Sequence, residues 1–323
     1  MNLKNLNKLL EGEPNFRKKQ IERLIYNEMI EDFSMASVLP LKIREELKRE
    51  TSLEIKAETY KSRGTEKALI TLSDGCQIET VLMKHDDRST VCVSSQAGCL
   101  LGCKFCATGK LGFKRNLEAE EILEQVLFFK RKEKINNIVF MGMGEPFLNY
   151  ENILKAIRIL NDKNAFNIGA RHISISTVGI IEGIEKLSQE KLQINLAISL
   201  HAPDDALRLK LMPIASKYPL KKILIAVDKY IEETNRKVMF EYLLIKGVND
   251  SSESAEKLSK LMKHSLYMVN LIKYNDTDEF KAPSKESINK FKNILKKHKI
   301  NVTERFRFGE TIHAACGQLC LKK

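Results

Sequence analysis

The sequence has no tryptophan, and it contains only 7 prolines and 15 glycines among 323 residues. So few prolines and glycines argue against long disordered stretches. No N-terminal apolar run is as long as a signal peptide or a membrane span, because residues 1–19 are rich in Asn, Lys and Glu. We therefore expect a cytoplasmic protein without a membrane partner, whose 7 cysteines stay reduced and available for metal binding or catalysis.

The charge is unbalanced, with 54 Lys and Arg against 42 Asp and Glu, a net charge of +12. Much of the excess lies near the C-terminus, where Lys281–Lys323 carries 11 basic and 3 acidic residues. Such an excess favours a polyanionic partner. We favour nucleic acid over a membrane surface, because no basic amphipathic helix with a broad aromatic face accompanies the charge.

Three cysteines, Cys99, Cys103 and Cys106, form a C-x3-C-x-x-C run, and this run lacks a fourth cysteine ligand. A closed structural zinc site has four protein ligands, and an ordinary four-iron cluster has four thiolates. Three thiolates on a short loop would therefore leave one iron of a four-iron cluster open to a small molecule. The alternatives are a zinc site completed by a distant histidine and three unrelated buried thiols.

The first 61 residues have a helical pattern, with a second helix predicted at Leu41–Arg49. Two alternating apolar runs follow, Lys67–Leu72 and Gln77–Met83, and Asp74-Gly75 between them is a strong hairpin signal. We expect a helical accessory domain at 1–61, a hairpin extension at 62–88 and a third domain at 89–323.

From Ser89 onward, predicted strands alternate with predicted helices, which indicates an α/β protein. Six β/α units with short loops predict a partial (β/α)6 barrel, with the active site at the carboxyl ends of its strands. The predicted strands are Val91–Ser94, Asn137–Met141, His172–Ser176, Ile194–Leu200, Val238–Leu244, Tyr267–Ile272 and Ile300–Thr303. The predicted helices are Ala119–Lys130, Tyr150–Asn161, Ile184–Gln189, Lys221–Thr234, Glu253–Lys263 and Ser284–Lys297.

Polar and small residues follow most of these strands. Gly144 permits close approach of the backbone to a ligand, and Glu145 could accept a hydrogen bond from a cationic amine. Each such residue alone is more often part of a turn or a helix cap, but together they would share one face of the barrel. The strand-end candidates are Gly144, Glu145, Ser176, Ser199, Leu200, His201 and Asn270.

Four runs of the sequence carry a family resemblance. They are Cys92–Cys99, Gly142–Pro146, Ser199–Pro203 and Ala314–Leu319. Together they resemble the radical S-adenosylmethionine (SAM) RNA adenine methyltransferases of the RlmN/Cfr family. An aromatic residue, Phe105, before the last cysteine of the three is typical of the wider radical SAM enzymes. The resemblance covers nearly the whole chain, including the N-terminal part.

The resemblance implies one [4Fe-4S] cluster per chain, held by Cys99, Cys103 and Cys106, and two SAM molecules per turnover. It implies RNA as the substrate, specifically 23S rRNA and possibly tRNA, and a reducing electron donor such as flavodoxin or ferredoxin. We expect a monomer. The residues expected to contact SAM are Phe105, Gly144, Glu145, Ser176, Ser199, Leu200, His201 and Asn270.

The resemblance also implies two catalytic cysteines. One SAM would methylate Cys316, and a radical from a second SAM would remove hydrogen from that methyl group, so that it bonds to the adenine ring. Cys92 would then attack the sulfur of Cys316, forming a transient disulfide and releasing the methylated base. Glu79 or Cys92 would remove the ring proton. Cys76 and Cys320 match no motif of the family and are interpreted as ordinary thiols.

The motifs favour methylation at C2 of adenine, because the loop containing Pro146 looks more like that branch of the family. Phe308-Gly309 looks more like the branch that methylates C8, an activity associated with antibiotic resistance. An alternative of another class is an RNA-binding protein without catalysis, whose cysteines hold zinc.

Overall fold

The computed structural model describes residues 1–3, 6–276, 279–305 and 309–321. Within these ranges no helix is long and apolar enough to span a membrane. The strands β1–β12 are Ala57–Ser62, Thr65–Thr71, Gln77–His85, Arg88–Cys92, Gln96–Gly98, Phe113–Asn116, Asn137–Phe140, Ile173–Thr177, Asn195–Ser199, Val238–Leu244, Tyr267–Lys273 and Asn301–Glu304. The helices α1–α11 are Leu6–Leu9, Asn15–Tyr26, Leu41–Glu50, Ala107–Lys110, Ala119–Lys130, Tyr150–Asn161, Ile181–Ser188, Asp205–Leu211, Leu220–Thr234, Ser252–Leu261 and Lys285–Lys297.

Ten strands form one sheet in the order β1-β2-β3-β4-β7-β8-β9-β10-β11-β12, and β5 and β6 form a small separate pair. The strands from β4 to β12 in this sheet are parallel, and β1 to β4 are antiparallel. The two edge strands, β1 and β12, are not paired with each other in the described part of the chain. The fold is therefore an open, partial α/β barrel, as the alternation of strands and helices predicted.

The parallel strands are strongly apolar because helices cover them. Six of the seven residues of β10 are buried. The covering helices are amphipathic; in α6 the buried residues Ile153, Leu154, Ala156, Ile157 and Leu160 recur at the spacing of one helical face. Side-chain caps define several helix starts, as at Ser251 and Ser284, which each accept a hydrogen bond from a backbone N–H three residues later.

Two predictions about the N-terminal part need correction. The helical interpretation of residues 1–61 is wrong at its end, because Ala57–Ser62 is a strand that pairs in register with β2. The hairpin was predicted correctly, but it is not a separate extension: β3 pairs with β4, so the hairpin continues the barrel sheet. Strand β4 pairs antiparallel with β3 of the hairpin and parallel with β7, and so joins the two parts of the sheet.

The N-terminal helices pack directly against the barrel. The rings of Tyr26 and Phe166 stack with their centroids 5.3 Å apart. Asn27 Nδ2 donates to the carbonyl of Ala165 (3.0 Å), and Arg131 donates to the carbonyls of Ile30 and Leu53. The apolar residues of both parts form one continuous hydrophobic core.

Gly183 in α7 provides a test of this packing. A Cβ atom there would lie 2.4 Å from the ring of Phe147, which follows the loop containing Glu145. Overpacking costs about 1–3 kcal/mol, against a gain of up to about 1 kcal/mol from the higher helix propensity of alanine. We expect Gly183→Ala to lower the free energy of unfolding by about 1–2 kcal/mol in denaturant titrations. The exposed Glu185→Ala in the same helix is the control, and an equal loss in both variants would contradict this packing.

Candidate active site

A large cavity opens at the carboxyl ends of the parallel strands. It encloses about 1440 Å³, counted to its open mouth. Part of this volume is open to solvent. Its walls include candidate residues from the cysteine loop, the strand ends and the C-terminal segment. They are Cys92, Cys99, Cys103, Phe105, Cys106, Gly144, Glu145, Ser176, Ser199, His201 and Cys316.

The cysteine loop places three thiols on one wall of this cavity. Gly98, with φ +85°, leaves no space for a Cβ atom, which would lie 1.9 Å from the carbonyl oxygen of Gly112. That carbonyl accepts the backbone N–H of Cys99 (2.9 Å), and the N–H of Cys106 donates to the carbonyl of Cys103 (3.0 Å). Burial, reinforced by the neighbouring thiols, raises the pKa of Cys103, and burial raises the pKa of Cys99 to about 11. Neutral thiols are thus favoured until a metal binds them.

The donor set fits an iron–sulfur cluster. Within the described ranges, no three His, Cys, Asp or Glu side chains are arranged to hold a single metal ion. Three thiols from one short loop line the same cavity, and the chemistry of this donor set suits the irons of a cluster. Thiolates are the usual ligands of such clusters.

Glu145 lies deep in the wall beside the glycine loop. It is 2% exposed, and its Oε1 and Oε2 accept the backbone N–H groups of Phe147 (3.0 Å) and Val178 (2.9 Å). Burial raises the pKa of Glu145 to about 7, although the backbone donors oppose this rise. Gly144, with φ +96°, approaches Gln96 so closely that a Cβ atom would lie 2.5 Å from it. The loop is therefore rigid and presents a polar surface to the cavity.

Two further strand ends supply hydrogen-bonding groups. The hydroxyls of Ser176 and Ser199 lie 3.2 Å apart on neighbouring strands. His201 has φ +56°, and its Nδ1 accepts the backbone N–H of Leu243 (3.1 Å). Burial, reinforced by Arg208, lowers the pKa of His201 to about 3, so the ring is neutral and carries its proton on Nε2. The ring meets that of Phe105 edge-on, with centroids 4.9 Å apart.

Three predicted site residues do not reach the cavity wall. Leu200 is fully buried, and its N–H donates to the carbonyl of Glu241. The amide of Asn270 is occupied within the sheet, where it donates to Glu241 Oε2 (2.9 Å) and accepts from Thr303 Oγ1 (2.9 Å). Glu79 is fully buried and forms an ion pair with Lys67.

The asparagine at the cavity is Asn275 instead. It follows the end of β11, whereas Asn270 lies in the middle of that strand. The structure thus places Asn275, and not Asn270, in the cavity wall. The sequence contained the signal, because strand-end residues line such sites and Asn270 precedes the strand end by three positions.

Sequence reasoning also missed Glu241 and Arg305, which both line the cavity. Glu241 is 3% exposed, and its Oε1 has no hydrogen-bond partner among the described residues. Its Oε2 lies 3.8 Å from Nη1 of Arg305. A buried carboxylate oxygen without a partner is costly, so it fits a site where a ligand supplies an N–H or O–H donor. Glu241 was missed because it lies inside an apolar strand.

Cys92 and Cys316 line the same cavity, although they are far apart in sequence. Burial raises the pKa of Cys92 to about 12, and the nearby Arg305 opposes this rise. Cys316 is accessible through the open cavity, but the surrounding protein raises its pKa, again against Arg305. Arg305 is thus the cation shared by both thiols.

The segment carrying Cys316 is docked on the cysteine loop. Ala107 N–H donates to the carbonyl of Gly317 (2.8 Å), and Thr108 Oγ1 donates to the carbonyl of Leu319 (2.7 Å). Asn275 Nδ2 donates to the carbonyl of Cys316 (3.3 Å). These bonds place Cys316 over the mouth of the barrel, beside the three-thiol loop.

The structure is a partial barrel with three thiols at the carboxyl ends of its strands, beside a large cavity. This is the arrangement of a radical SAM enzyme. Residues 93–258 match the Radical SAM superfamily. The crystal structure of a radical SAM methyltransferase from Sphaerobacter thermophilus is similar over 99% of this chain and 97% of that one, with 42% identity and a TM-score of 0.92.

Two relatives identify the family of this chain within the radical SAM superfamily. The probable dual-specificity RNA methyltransferase RlmN of Carboxydothermus hydrogenoformans is 47% identical over 320 residues, which cover 96% of this chain and 93% of the relative. The ribosomal RNA large subunit methyltransferase N of Nitrosopumilus maritimus is 44% identical over 326 residues, with 95% and 93% covered. The chain belongs to the RlmN family of radical SAM RNA methyltransferases.

The three-thiol loop yields a direct prediction. Replacing Cys99, Cys103 or Cys106 with alanine should abolish iron loading after anaerobic reconstitution, because each removes one of only three thiolates. The measurement is the iron and sulfide content per chain, and Cys76→Ala is the matched control that should load normally. Full loading of the variant lacking all three thiols would show that the cluster is held elsewhere.

Proposed function

We propose that this enzyme methylates C2 of an adenine in RNA, with Cys316 as the carrier of the methyl group. The observation that carries the proposal is the meeting of Cys316, Cys92 and the three-thiol loop at one cavity. An ordinary methyltransferase needs no carrier thiol, because it transfers the methyl cation directly. An aromatic C–H carbon is too weak a nucleophile for that route, so a carrier and a resolving thiol have a chemical purpose.

The first step uses Cys316 as a nucleophile. Its thiolate attacks the methyl carbon of SAM, a C–S bond forms, the bond to the sulfonium breaks, and S-adenosylhomocysteine leaves. The guanidinium of Arg305 stabilises the thiolate. The cluster held by Cys99, Cys103 and Cys106, together with a second SAM, would supply the radical that activates the methyl group.

Cys92 then releases the product. Addition of the methylene radical leaves one unpaired electron on the adenine ring, and this electron would return to the cluster as the ring proton leaves. Of the two groups considered for removal of that proton, Cys92 lines the cavity and Glu79 does not, so we assign proton removal to Cys92. The Cys92 sulfur attacks the Cys316 sulfur, an S–S bond forms, and the C–S bond to the adduct breaks. The electron pair goes to the departing carbon, which takes a proton and becomes the methyl group. Cellular thiols reduce the disulfide for the next cycle.

The walls of the cavity would hold SAM. Glu145 and the unpartnered Oε1 of Glu241 offer acceptors, and Ser176, Ser199 and His201 offer hydroxyl or N–H donors. Phe105 and Asn275 complete the cavity wall next to Cys316.

We propose 23S rRNA as the substrate, with tRNA as a second one. The names of the relatives, a dual-specificity RNA methyltransferase and a ribosomal RNA large subunit methyltransferase, support this proposal, as does the net charge of +12. We further propose a monomer in the cytoplasm that receives electrons from flavodoxin or ferredoxin.

The position of methylation is tested directly. The protein is expressed in cells that lack their own C2 methyltransferase, ribosomal RNA and tRNA are digested separately, and the methyladenosine isomers are identified by mass spectrometry. We expect 2-methyladenosine. A product methylated at C8 would support the other branch; Phe308, which favours that branch, lies outside the described residues.

Variants of Cys92 and Cys316 should lose methylation activity in different ways. Cys92→Ala should purify with RNA covalently bound to Cys316, because nothing then attacks the sulfur of the adduct. Cys316→Ala should neither trap RNA nor methylate it, because no carrier exists. Gel analysis with and without ribonuclease measures the trapped RNA.

The double variant is the control, and it should behave like Cys316→Ala, since the adduct never forms. Normal turnover by Cys92→Ala without trapped RNA would rule out the two-thiol mechanism.

A further inference from the structure

The carboxylate of Glu79 is held in an ion pair shielded from solvent. Lys67 Nζ lies 2.9 Å from Glu79 Oε1, and neither side chain has any exposed area. The two residues lie on the antiparallel strands β2 and β3. Either charge alone would be costly at this depth, because a buried ion needs a partner. The contact with Lys67 therefore fixes the Glu79 carboxylate in place.

The second oxygen of the carboxylate reaches the other end of the chain. Glu79 Oε2 accepts the backbone N–H of Leu321 at 3.1 Å. Leu321 lies five positions after Cys316. A hydrogen bond to an ionised acceptor is stronger than one between neutral groups. The hairpin thus contacts the segment that carries the methyl-accepting thiol.

The cysteine loop also holds this segment, through hydrogen bonds to the carbonyls of Gly317 and Leu319. Residues 317–321 therefore bridge the cysteine loop and the hairpin. The last of these contacts depends on Glu79. Without it, the hydrogen bond that joins the end of the segment to the hairpin would be lost.

We propose that Glu79 is a positioning residue: held by its ion pair with Lys67, it anchors Leu321 and thereby holds Cys316 at the cavity. The inference rests on the proposed function, since it concerns the thiol assigned to carry the methyl group. It differs from the role of proton acceptor that the family resemblance implies for Glu79. Both oxygens of the carboxylate are already engaged away from the cavity wall, which leaves proton removal to Cys92.

Two double variants separate the roles. Lys67→Met with Glu79→Gln removes both charges but keeps an amide oxygen that can accept from Leu321. Lys67→Met with Glu79→Leu removes the charges and the acceptor, so the two variants differ only in the anchor. Amide hydrogen exchange of residues 314–321 is measured on the full-length protein, together with the fraction of Cys316 that carries a methyl group and the amount of RNA trapped as adduct.

If Glu79 positions the segment, the leucine variant should exchange about tenfold faster at residues 314–321 than the glutamine variant. Its fraction of methylated Cys316 should fall, and neither variant should trap RNA. If Glu79 is the proton acceptor, both variants should exchange alike, keep Cys316 methylated and accumulate adduct, and that result would overturn the proposal.

The wild-type protein supplies a measurement that needs no variant to fold. The amide of Leu321 should exchange at least about tenfold more slowly than in an unstructured peptide, because it is hydrogen-bonded; exchange at the peptide rate would overturn the anchor. Failure of the anchor proposal can also be distinguished from failure of the proposed function. Wild-type Cys316 without any methyl group would contradict the carrier mechanism, while the exchange data would still report on the anchor.

Discussion

The docking of the C-terminal segment on the cysteine loop is the contact on which the active site depends. Two hydrogen bonds, from Ala107 to Gly317 and from Thr108 to Leu319, join parts of the chain more than two hundred positions apart. Gly317, with φ +80°, lies so close to the carbonyl of Phe105 that a Cβ atom there would be 3.2 Å away. Without this docking, the barrel would retain its cavity but lose the thiol at its mouth.

The parallel sheet supplies the rest of the site. Ser199, Glu241, Asn270 and Thr303 are register partners across β9 to β12, so they form one polar row through the sheet. Thr303 supports Asn270, and Asn270 holds Glu241. These hydrogen bonds run from Thr303 through Asn270 to Glu241, whose carboxylate lines the cavity. A flexible loop could not hold a buried charge in one orientation, because nothing would repay the loss of hydration.

The periodic elements could be predicted well from the sequence. Helices α5 and α6 and strand β10 have the predicted bounds, because their apolar residues recur at helical or strand spacing over their whole length. Helix α8 and strand β1 were missed. Helix α8 is only seven residues long, and β1 has no buried residue, so neither has a clear apolar pattern. Pairing with β2 decides the structure of β1.

The sequence by itself determined the chemistry of this protein: the three-thiol loop, the glycine loop with Glu145, and the motifs around Cys92 and Cys316, whose residue types and local spacing carry the information. Only the tertiary structure decided which residues meet. It brought Asn275, Glu241 and Arg305 to the cavity and directed Asn270 and Glu79 into bonds elsewhere. The physical reason is that strand register and buried pairing join residues far apart in the chain, and local spacing does not encode such partners.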